Sequence, residues 1–310
     1  MTLEAIDPLP RTRRGWIALG VAAVVVMTAF VLVVRFYNVE GGSVVDGGLA
    51  PADDGGVVAS IEPLSVNADE GVSRIHVTLL DRGSGLVDEN ERLTENLRLT
   101  VTTGLGPVET RFPAGTLLGQ TEVEVRLTGE AAAYPFDEHG AFMTLMLDGY
   151  DKEPDGSLVS IGDVPLGLSG SGGVNGWDTT MTLTPGFREE ASAGLAFERA
   201  FSTIVFALLI LTISAVLGLL ALIVGLRAFA GRRVTEAAML GWSAALLFAL
   251  PALRNYLPNG PPFGAAIDMY AFLWIMVAAG VAAMLLVVAH SAQPGASARP
   301  RKDEVTGGAA

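Results

Sequence analysis

Four long apolar runs dominate this 310-residue chain, and none of them contains Asp, Glu, Lys or Arg. A helix rises about 1.5 Å per residue, so about 20 apolar residues cross a hydrocarbon core about 30 Å thick. A charge at the bilayer centre costs at least about 2.5 kcal/mol, so uncharged runs of this length indicate membrane spans. The uncharged runs are Trp16–Val34, Ala200–Leu226, Ala237–Leu253 and Met269–Ala289. Around them the sequence predicts transmembrane helices at 16–36, 199–226, 236–253 and 269–290, with the lipid bilayer as their partner.

Basic residues outside the spans predict the orientation of the chain. They form three clusters, which are Arg11, Arg13 and Arg14; Arg227, Arg232 and Arg233; and Arg299, Arg301 and Lys302. With four spans, all three clusters fall on one side, and Lys and Arg mark the cytoplasmic side of membrane proteins. We therefore expect a multi-pass protein of the cell membrane with both termini cytoplasmic. The cytoplasmic parts are 1–15, 227–235 and the disordered tail 291–310, and the extracytoplasmic parts are 37–198 and 254–268.

The first apolar run has a basic segment before it, as a cleaved signal peptide does. Its apolar stretch exceeds the usual 7–15 residues, and the sequence Val-Val-Arg-Phe-Tyr that follows offers no small-x-small cleavage site. An uncleaved anchor is therefore the expectation. The chain has no cysteine, which excludes disulfides, thiolate metal sites and a lipoprotein anchor.

The polar region 37–198 is strongly acidic, with 27 Asp and Glu against 8 Lys and Arg, a net charge of −19. This charge disfavours nucleic acid and anionic lipid head groups as partners. Solubility in an outer compartment is the simpler explanation, and cation binding is the alternative. The cation candidates are Asp81, Asp88, Glu89, Asn90 and Glu91. Their spacing matches no EF-hand, so a solvated acidic loop is favoured, and no metal or cofactor is predicted.

Residues 37–198 show the alternation of short β-strands. Apolar side chains recur at every second position in three segments, namely Ile75–Leu79, Leu97–Val101 and Val123–Leu127. Further strands are expected at Phe142–Leu147 and Met181–Thr184, with 41–56 a linker, 88–96 a polar turn, and 151–176 a loop holding one strand at 158–161. Period-two alternation broken by Gly, Pro and Asp indicates an antiparallel β-sandwich. The fold class is thus an α+β membrane protein, a β-sandwich with one transmembrane helix before it and three after.

The string Tyr134-Pro135-Phe136-Asp137 is the most distinctive motif. A proline between two aromatic residues suits a tight turn, and the Tyr134–Pro135 bond is a candidate for the cis form. Asp137 is expected to accept hydrogen bonds from backbone groups of the turn. The motif serves either as a structural turn or as a coupling element that contacts the membrane part.

The chain resembles the DUF4436 family of uncharacterised actinobacterial membrane proteins. The resemblance rests on Phe112-Pro-Ala-Gly115, on Tyr134-Pro-Phe-Asp137, on Leu253-Arg-Asn-Tyr-Leu-Pro-Asn-Gly-Pro-Pro-Phe-Gly264 and on Asp268 with Phe272-Leu-Trp274. It covers most of residues 16–290 and implies an outer β domain on a four-span anchor, without an established activity. A weaker similarity links Tyr134–Asp137 to the turn near the membrane in pentameric ligand-gated channels, whose four spans all follow the sandwich.

The outer loop 254–268 contains Pro258, Pro261 and Pro262, which disfavour helix. Arg254 precedes this loop and Asp268 ends it. These residues either complement the helix dipoles separately or form a direct ion pair that closes the loop. Within the spans, the small residues of Ser214-x-x-x-Gly218 and Ala279-x-x-x-Ala283 are expected to let helices pack closely.

The sequence contains no Gly-x-Ser-x-Gly motif, P-loop, dinucleotide fingerprint or zinc-type histidine spacing. The spans carry no ionisable residue of the kind that proton-coupled transporters use. We therefore expect a non-enzymatic module that binds an envelope partner or an extracellular ligand, with self-association as a further option. The alternative is a channel-like oligomer in which Tyr134–Asp137 couples the sandwich to the helices.

Overall fold

The computed structural model describes residues 43–47, 56–186, 190–232 and 234–293, together with isolated positions between 16 and 35. The described positions between 16 and 35 are helical. The first predicted span as a whole, the tail 1–15 and the tail from 294 onward lie outside the described residues.

The described part of the polar region consists almost entirely of strands. Their bounds are β1 (Ser43–Gly47), β2 (Val57–Asn67), β3 (Val72–Asp81), β4 (Leu97–Thr103), β5 (Gly106–Phe112), β6 (Gln120–Gly129), β7 (Glu138–Lys152), β8 (Leu158–Val164), β9 (Leu166–Gly170), β10 (Trp177–Thr184) and β11 (Ala191–Arg199). A short 3₁₀ turn at Ala131–Ala133 lies between β6 and β7. The β character that the alternating pattern predicts is therefore confirmed.

The strands form one connected mixed sheet, in the order β1-β10-β11-β7-β6-β3-β2-β9. Parallel pairing of β1 with β10 and of β2 with β9 makes the prediction of a purely antiparallel sheet wrong. The sheet curls until Leu166 of β9 exchanges two backbone hydrogen bonds, of 3.1 and 3.2 Å, with Gly186 just after β10. The domain is thus barrel-like, and the predicted sandwich is not confirmed. Side-chain alternation indicates which face of a strand is buried but carries no information about its neighbours.

The long strand β7 organises the domain, because different parts of it pair with different neighbours. Its first half pairs with β11 and β6, and its second half pairs with β8 and β4. The β4–β5 and β7–β8 hairpins therefore branch from the barrel-like sheet at the end of β7. This branching creates a second surface on the domain, away from the end where β7 begins.

The core lies on the faces that alternation predicts. Ile75, Val77, Leu99, Val125 and their equivalents on neighbouring strands are at most a few per cent exposed. Burying a side chain of this size contributes about 1.5–3 kcal/mol, so the faces that alternate most regularly stabilise the domain most.

Two segments without regular alternation differ from the prediction. The predicted loop 151–176 contains two strands, β8 and β9, and the predicted linker 41–56 contains β1. Backbone hydrogen bonds to β7, β2 and β10 hold these strands in the sheet. β8 is largely solvent-exposed along its length and contains the strand predicted at 158–161, whereas the sequence does not predict β9. The predicted polar turn 88–96 is irregular, with isolated bridges from Val87 to Leu93 and from Arg92 to Leu117.

Three apolar helices follow the β domain. Their bounds are α1 (Phe201–Phe229), α2 (Ala237–Asn255) and α3 (Leu273–Ser291), with a π-helical turn at Asp268–Phe272 leading into α3. By length and composition these three described helices can cross a membrane, with mean hydropathies of 2.9, 1.5 and 2.6. The three apolar helices predicted after the β domain are therefore confirmed.

Small residues bring α1 and α3 close together, as the sequence predicts. A Cβ atom added at Gly218 would lie 3.0 Å from Ile275, and one at Gly225 would lie 2.9 Å from the carbonyl oxygen of Ala282. Ala279 and Ala282 are buried in the same contact. Larger side chains at these glycines would force the two backbones apart.

The chain divides into two compact units. One unit contains the β domain, the start of α1 as far as Ala207, and the loop segment Pro258–Ala265. The other contains Leu208–Leu257 and the chain from Ala266 onward. The middle of the outer loop is thus part of the same unit as the β domain.

Candidate functional site

The Tyr134–Asp137 turn lies immediately before β7, in the unit that contains the β domain. Its Tyr134–Pro135 peptide bond is cis, as the sequence predicts. Tyr134 and Asp137 are about 1% exposed, whereas Phe136 between them is 64% exposed. The amide of Phe136 donates to the carbonyl of Ala133 at 3.0 Å, which closes the turn. The turn therefore sends its two polar side chains inward and one aromatic ring outward.

Asp137 forms a buried ion pair with Arg199, the last residue of β11. Arg199 Nε donates to Oδ1 and Nη2 donates to Oδ2, both at 2.9 Å. The two side chains are 1% and 0% exposed. A two-pronged pair of this kind fixes the direction as well as the distance of both groups. The sequence prediction that Asp137 accepts from backbone donors differs from what is found, because its described partners are side chains.

His139 adds a third member to the pair. Its Nε2 lies 2.9 Å from Asp137 Oδ2, and a carboxylate only accepts, so Nε2 is the donor. The approach requires glycine at position 129, whose φ is +134°. A Cβ atom there would lie 2.2 Å from the carbonyl oxygen of Glu138 and 2.8 Å from His139 Nδ1. Gly129 therefore makes room for the histidine and the strand that bears it.

Two aromatic rings flank the guanidinium group of Arg199. Its Cζ atom lies 3.9 Å from the ring centroid of Trp177 and 4.9 Å from that of Tyr134. Nη1 is buried and has no hydrogen-bond partner among the described residues. A cation over an aromatic face gains up to about 2 kcal/mol when water is excluded, which offsets part of the cost of burying it. We call Tyr134, Asp137, His139, Trp177 and Arg199 the Arg199 cluster.

The Arg199 cluster extends to the outer loop and to the start of α1. The hydroxyl of Tyr134 donates to the carbonyl oxygen of Pro258 at 3.1 Å. The carbonyl oxygen of Gly176 accepts from the amide of Ala200 at 3.1 Å and from Thr203 Oγ1 at 3.2 Å. The turn, the start of β10, the end of β11 and the loop thus meet at one place.

The Arg199 cluster has the chemistry of a structural contact that holds chain segments together. Asp137 accepts from both Arg199 and His139, so its charge is compensated by its neighbours. The five residues are between 1% and 5% exposed, so none presents a polar group to solvent. The arrangement holds chain segments in a fixed relation and leaves recognition of other molecules to exposed surfaces.

Arg254 and Asp268 form the direct pair that the sequence left as one of two options. Arg254 Nε donates to Asp268 Oδ1 at 3.1 Å, and Nη2 donates to Oδ2 at 2.7 Å. The side chains are 12% and 18% exposed. The pair joins the C-terminal end of α2 to the π-helical turn before α3, so it closes the outer loop at its base.

The acidic segment around Asp88 is organised by its own backbone. Asp88 Oδ1 accepts from the amides of Asn90 and Arg92, and Asp81 accepts from the amides of Gly83 and Ser84 and from the Ser84 hydroxyl. The amides of Arg92 and Asn90 lower the pKa of Asp88 below its usual 3.8. Within the described ranges, no three His, Asp or Glu side chains come close enough to hold a metal ion.

Sequence reasoning missed three members of the Arg199 cluster and a second buried pair. Arg199 reaches Asp137 through the pairing of β11 with β7, and Trp177 reaches Arg199 through the pairing of β10 with β11. His139, by contrast, is only two residues from Asp137 in the chain. The predicted domain limits place Arg199 at the start of a span, whereas it is the last residue of β11. Its one local signal is a lone cation directly before a long apolar run.

The second pair joins Arg98 of β4 to Asp148 of β7, at 3.1 Å and 2.6 Å. Asp148 is fully buried, whereas the Arg98 side chain is 19% exposed. The carboxylate of Asp148 raises the pKa of Arg98. The pair lies where β4 branches from β7, since the two residues are opposite each other in the register.

Two family models match the chain. One is a domain of unknown function, DUF8686, which matches residues 199–293, and the other is a domain of unknown function, DUF4436, which matches residues 46–192. No curated protein matches the chain. Asp137, His139 and Trp177 fall within the DUF4436 match, and Arg199 is the first residue of the DUF8686 match. The Arg199 cluster therefore joins the two matched regions, and the β domain of this chain matches the DUF4436 family.

Proposed function

We propose that this protein is a non-enzymatic membrane module whose acidic β domain binds an envelope partner or an extracellular ligand. Four helices anchor it as a multi-pass protein of the cell membrane, with both termini in the cytoplasm and the β domain outside. The observation that carries the proposal is the Arg199 cluster. It attaches the β domain to the start of α1 and to the loop between α2 and α3.

Burial supports a mechanical role for this cluster. Asp137 and Arg199 lie at the segments where the β domain begins its long strand and where it ends. Their ion pair uses both carboxylate oxygens. A domain whose segments are fixed in this way offers a constant surface, which suits recognition of a partner.

Charge supports the outer placement. Residues 37–198 carry a net charge of −19, whereas the rest of the chain is net basic, since the whole chain carries −13. A domain this acidic is soluble and is repelled by anionic head groups, so it extends away from the membrane surface.

Crosslinking in native membranes tests the binding role. The β domain has a single lysine, Lys152, but 27 carboxylates, so a carboxyl-reactive crosslinker reports on its surface better than an amine-reactive one. Mass spectrometry is expected to recover the same partner or ligand in independent preparations, with crosslinks from the β domain. Recovery of this chain alone, with no reproducible partner, contradicts the proposal. Protease added to intact cells is expected to remove the β domain, and protection until lysis contradicts the outer placement.

A channel-like oligomer is the second candidate function. The hydrogen bond from Tyr134 to Pro258 favours it, because it links the turn to the loop between two apolar helices. This function requires a symmetric ring in native mass spectrometry and ion flux in liposomes that Tyr134→Phe reduces. A monomeric particle, or liposomes without flux, excludes it.

A further inference from the structure

An open cleft of about 620 Å³ lies where the β4–β5 and β7–β8 hairpins branch from the barrel-like sheet. Its volume is within the range of about 300–1,000 Å³ that small-molecule sites occupy. Arg98 and Arg111 lie opposite each other on β4 and β5, and Tyr150 and Lys152 alternate along the end of β7. The register of three neighbouring strands thus brings these four side chains to one cleft.

The charge of the cleft is opposite to that of the domain. Arg98, Arg111 and Lys152 are three of the eight basic residues in 37–198, whereas Glu109 is the one acid among the residues that line it, out of 27 in that region. Because residues 37–198 contain 27 acidic and 8 basic residues, a random distribution would place more acidic than basic residues around each cation. The residues that line this cleft instead carry a net positive charge, which favours binding of an anion.

The three basic side chains of the cleft differ in how freely each can contact a ligand. Asp148 holds the guanidinium group of Arg98 in place. Ligand binding therefore costs little further conformational entropy of the Arg98 side chain. Arg111 contacts Glu109 at 3.2 Å with side chains 53% and 43% exposed, and a surface pair of this kind exchanges readily for a better partner. The ammonium group of Lys152 has no hydrogen bond or ion pair among the described residues. One fixed cation and two adaptable ones suit the oxygens of a carboxylate or phosphate.

The cleft also offers contacts for the uncharged part of a ligand. Tyr150 is 8% exposed, and Leu158 at the start of β8 is half-buried. Gly156, with φ +88°, turns the chain between the two strands at the edge of the cleft. An aromatic ring and an aliphatic side chain beside three cations match a small organic anion better than a bare inorganic ion.

We propose that this cleft binds a small organic anion through a carboxylate or phosphate group. The cations contact the charged group, and Tyr150 and Leu158 contact its carbon skeleton. This inference deepens the proposed function and rests on it, since it names the chemical class of an extracellular ligand.

The chain contains two lysines, and this simplifies the test. Lys152 lies in the cleft and Lys302 lies in the C-terminal tail, so one molecule carries both the reporter and its control. The full-length protein in detergent micelles is treated with an amine-reactive reagent, and mass spectrometry gives the labelling rate of each lysine. The probes are glucose 6-phosphate and glucuronate, with glucose as the uncharged analogue.

We expect both anions to slow labelling of Lys152, by about tenfold at concentrations ten times the Kd, and to leave Lys302 unchanged. Protection by one anion alone assigns the site to phosphate or to carboxylate. Arg111→Gln is expected to raise the Kd at least about tenfold, because it removes a charge-assisted contact. Arg74→Gln, an equal charge change at an exposed position on β3, is the matched control and should leave the Kd unchanged. Arg98 is left intact because its loss would strand the buried Asp148.

The anion proposal is overturned if neither anion protects Lys152, if glucose protects it equally, or if Arg111→Gln binds as tightly as the unaltered protein. If the anions do not protect Lys152 but crosslinking still recovers a partner, the anion site fails and the binding role stands. If both experiments are negative, the proposed function fails as well.

Discussion

Arg199 at the end of β11 donates two hydrogen bonds to Asp137, which lies 62 residues earlier in the chain. Both side chains are removed from water, so each charge depends on the other for compensation. The pair joins the turn before β7 to the end of β11, whose next residues lead into α1. The stability of the whole β domain is therefore expected to depend on it.

Asp137→Asn is expected to lower the free energy of unfolding by about 3–5 kcal/mol, because it leaves the Arg199 charge buried without compensation. Thermal unfolding in detergent micelles measures the loss. Glu109→Gln, which removes an equal charge from an exposed pair, should change stability by less than about 0.5 kcal/mol. Equal losses of unfolding free energy in the two variants would show that the buried pair contributes no more to stability than the exposed pair does.

Tyr134→Phe removes only the hydroxyl that donates to Pro258. We expect a loss of about 1 kcal/mol and faster amide exchange at Asn259 and Gly260, since the loop loses a link to the β domain. Hydrogen exchange with mass spectrometry follows these amides. Tyr256→Phe, at a side chain that is 74% exposed, is the control and should leave exchange unchanged. Unaltered exchange in the Tyr134 variant would contradict the link.

Gly129→Ala is expected to destabilise the β domain by about 3 kcal/mol or more, because a positive φ and a Cβ contact of 2.2 Å coincide there. Gly194→Ala in β11 is the matched control, since the closest atom to its added Cβ lies at an ordinary 3.9 Å. Thermal unfolding and yield of folded protein compare the two. Tolerance of alanine at position 129 would contradict the geometry around His139.

Arg254→Asp and Asp268→Arg are each expected to lower stability by about 1–3 kcal/mol, because each leaves one partly buried charge facing a like charge. The double variant restores a pair of opposite charges, so it should recover part of the loss. A double-mutant cycle from thermal unfolding gives the coupling energy. A double variant whose loss equals the sum of the single losses would show that the pair does not close the loop.

The lowered pKa of Asp88 predicts an acid-dependent contribution to stability. A carboxyl whose pKa is lower in the folded protein stabilises it fully above the usual value of 3.8, and the contribution disappears as the pH falls through the lowered pKa. The difference in melting temperature between the unaltered protein and Asp88→Asn should therefore be constant near neutral pH and shrink in the acid range. A pH-independent difference for Asp88→Asn would refute the prediction.

The strands predicted from alternation share one property. β3, β4 and β6 bury one face and expose the other, so their apolar residues alternate and the pattern is visible in a short window. β8 and β9 are held by pairing with β7 and β2, and neither has a regular alternation. Backbone hydrogen bonds carry no side-chain signature, so no local pattern predicts β9, whereas the sequence predicts part of β8 at 158–161.

The candidate site likewise has one part that the local sequence predicts and one part that depends on strand pairing. The motif Tyr134-Pro-Phe-Asp137 predicts a turn and a cis bond from adjacent residues, because ring stacking and the tertiary amide of proline act locally. The partner of Asp137 is decided by the pairing of β11 with β7, which brings Arg199 beside the turn. The register of β10 against β11 sets Arg199 opposite Trp177, so the guanidinium lies between that ring and Tyr134.

The sequence by itself determined the apolar helices after the β domain, the β character of that domain and its family, because hydropathy and side-chain period act over a few neighbouring residues. Only the tertiary structure decided the mixed sheet, the Arg199 cluster and the basic cleft. Each of these depends on which strands pair with each other. Alternative pairings compete for the same backbone hydrogen-bonding groups, so the pairing is decided by the whole domain and not by a short segment. Charges distant in the chain become partners only after that competition is resolved.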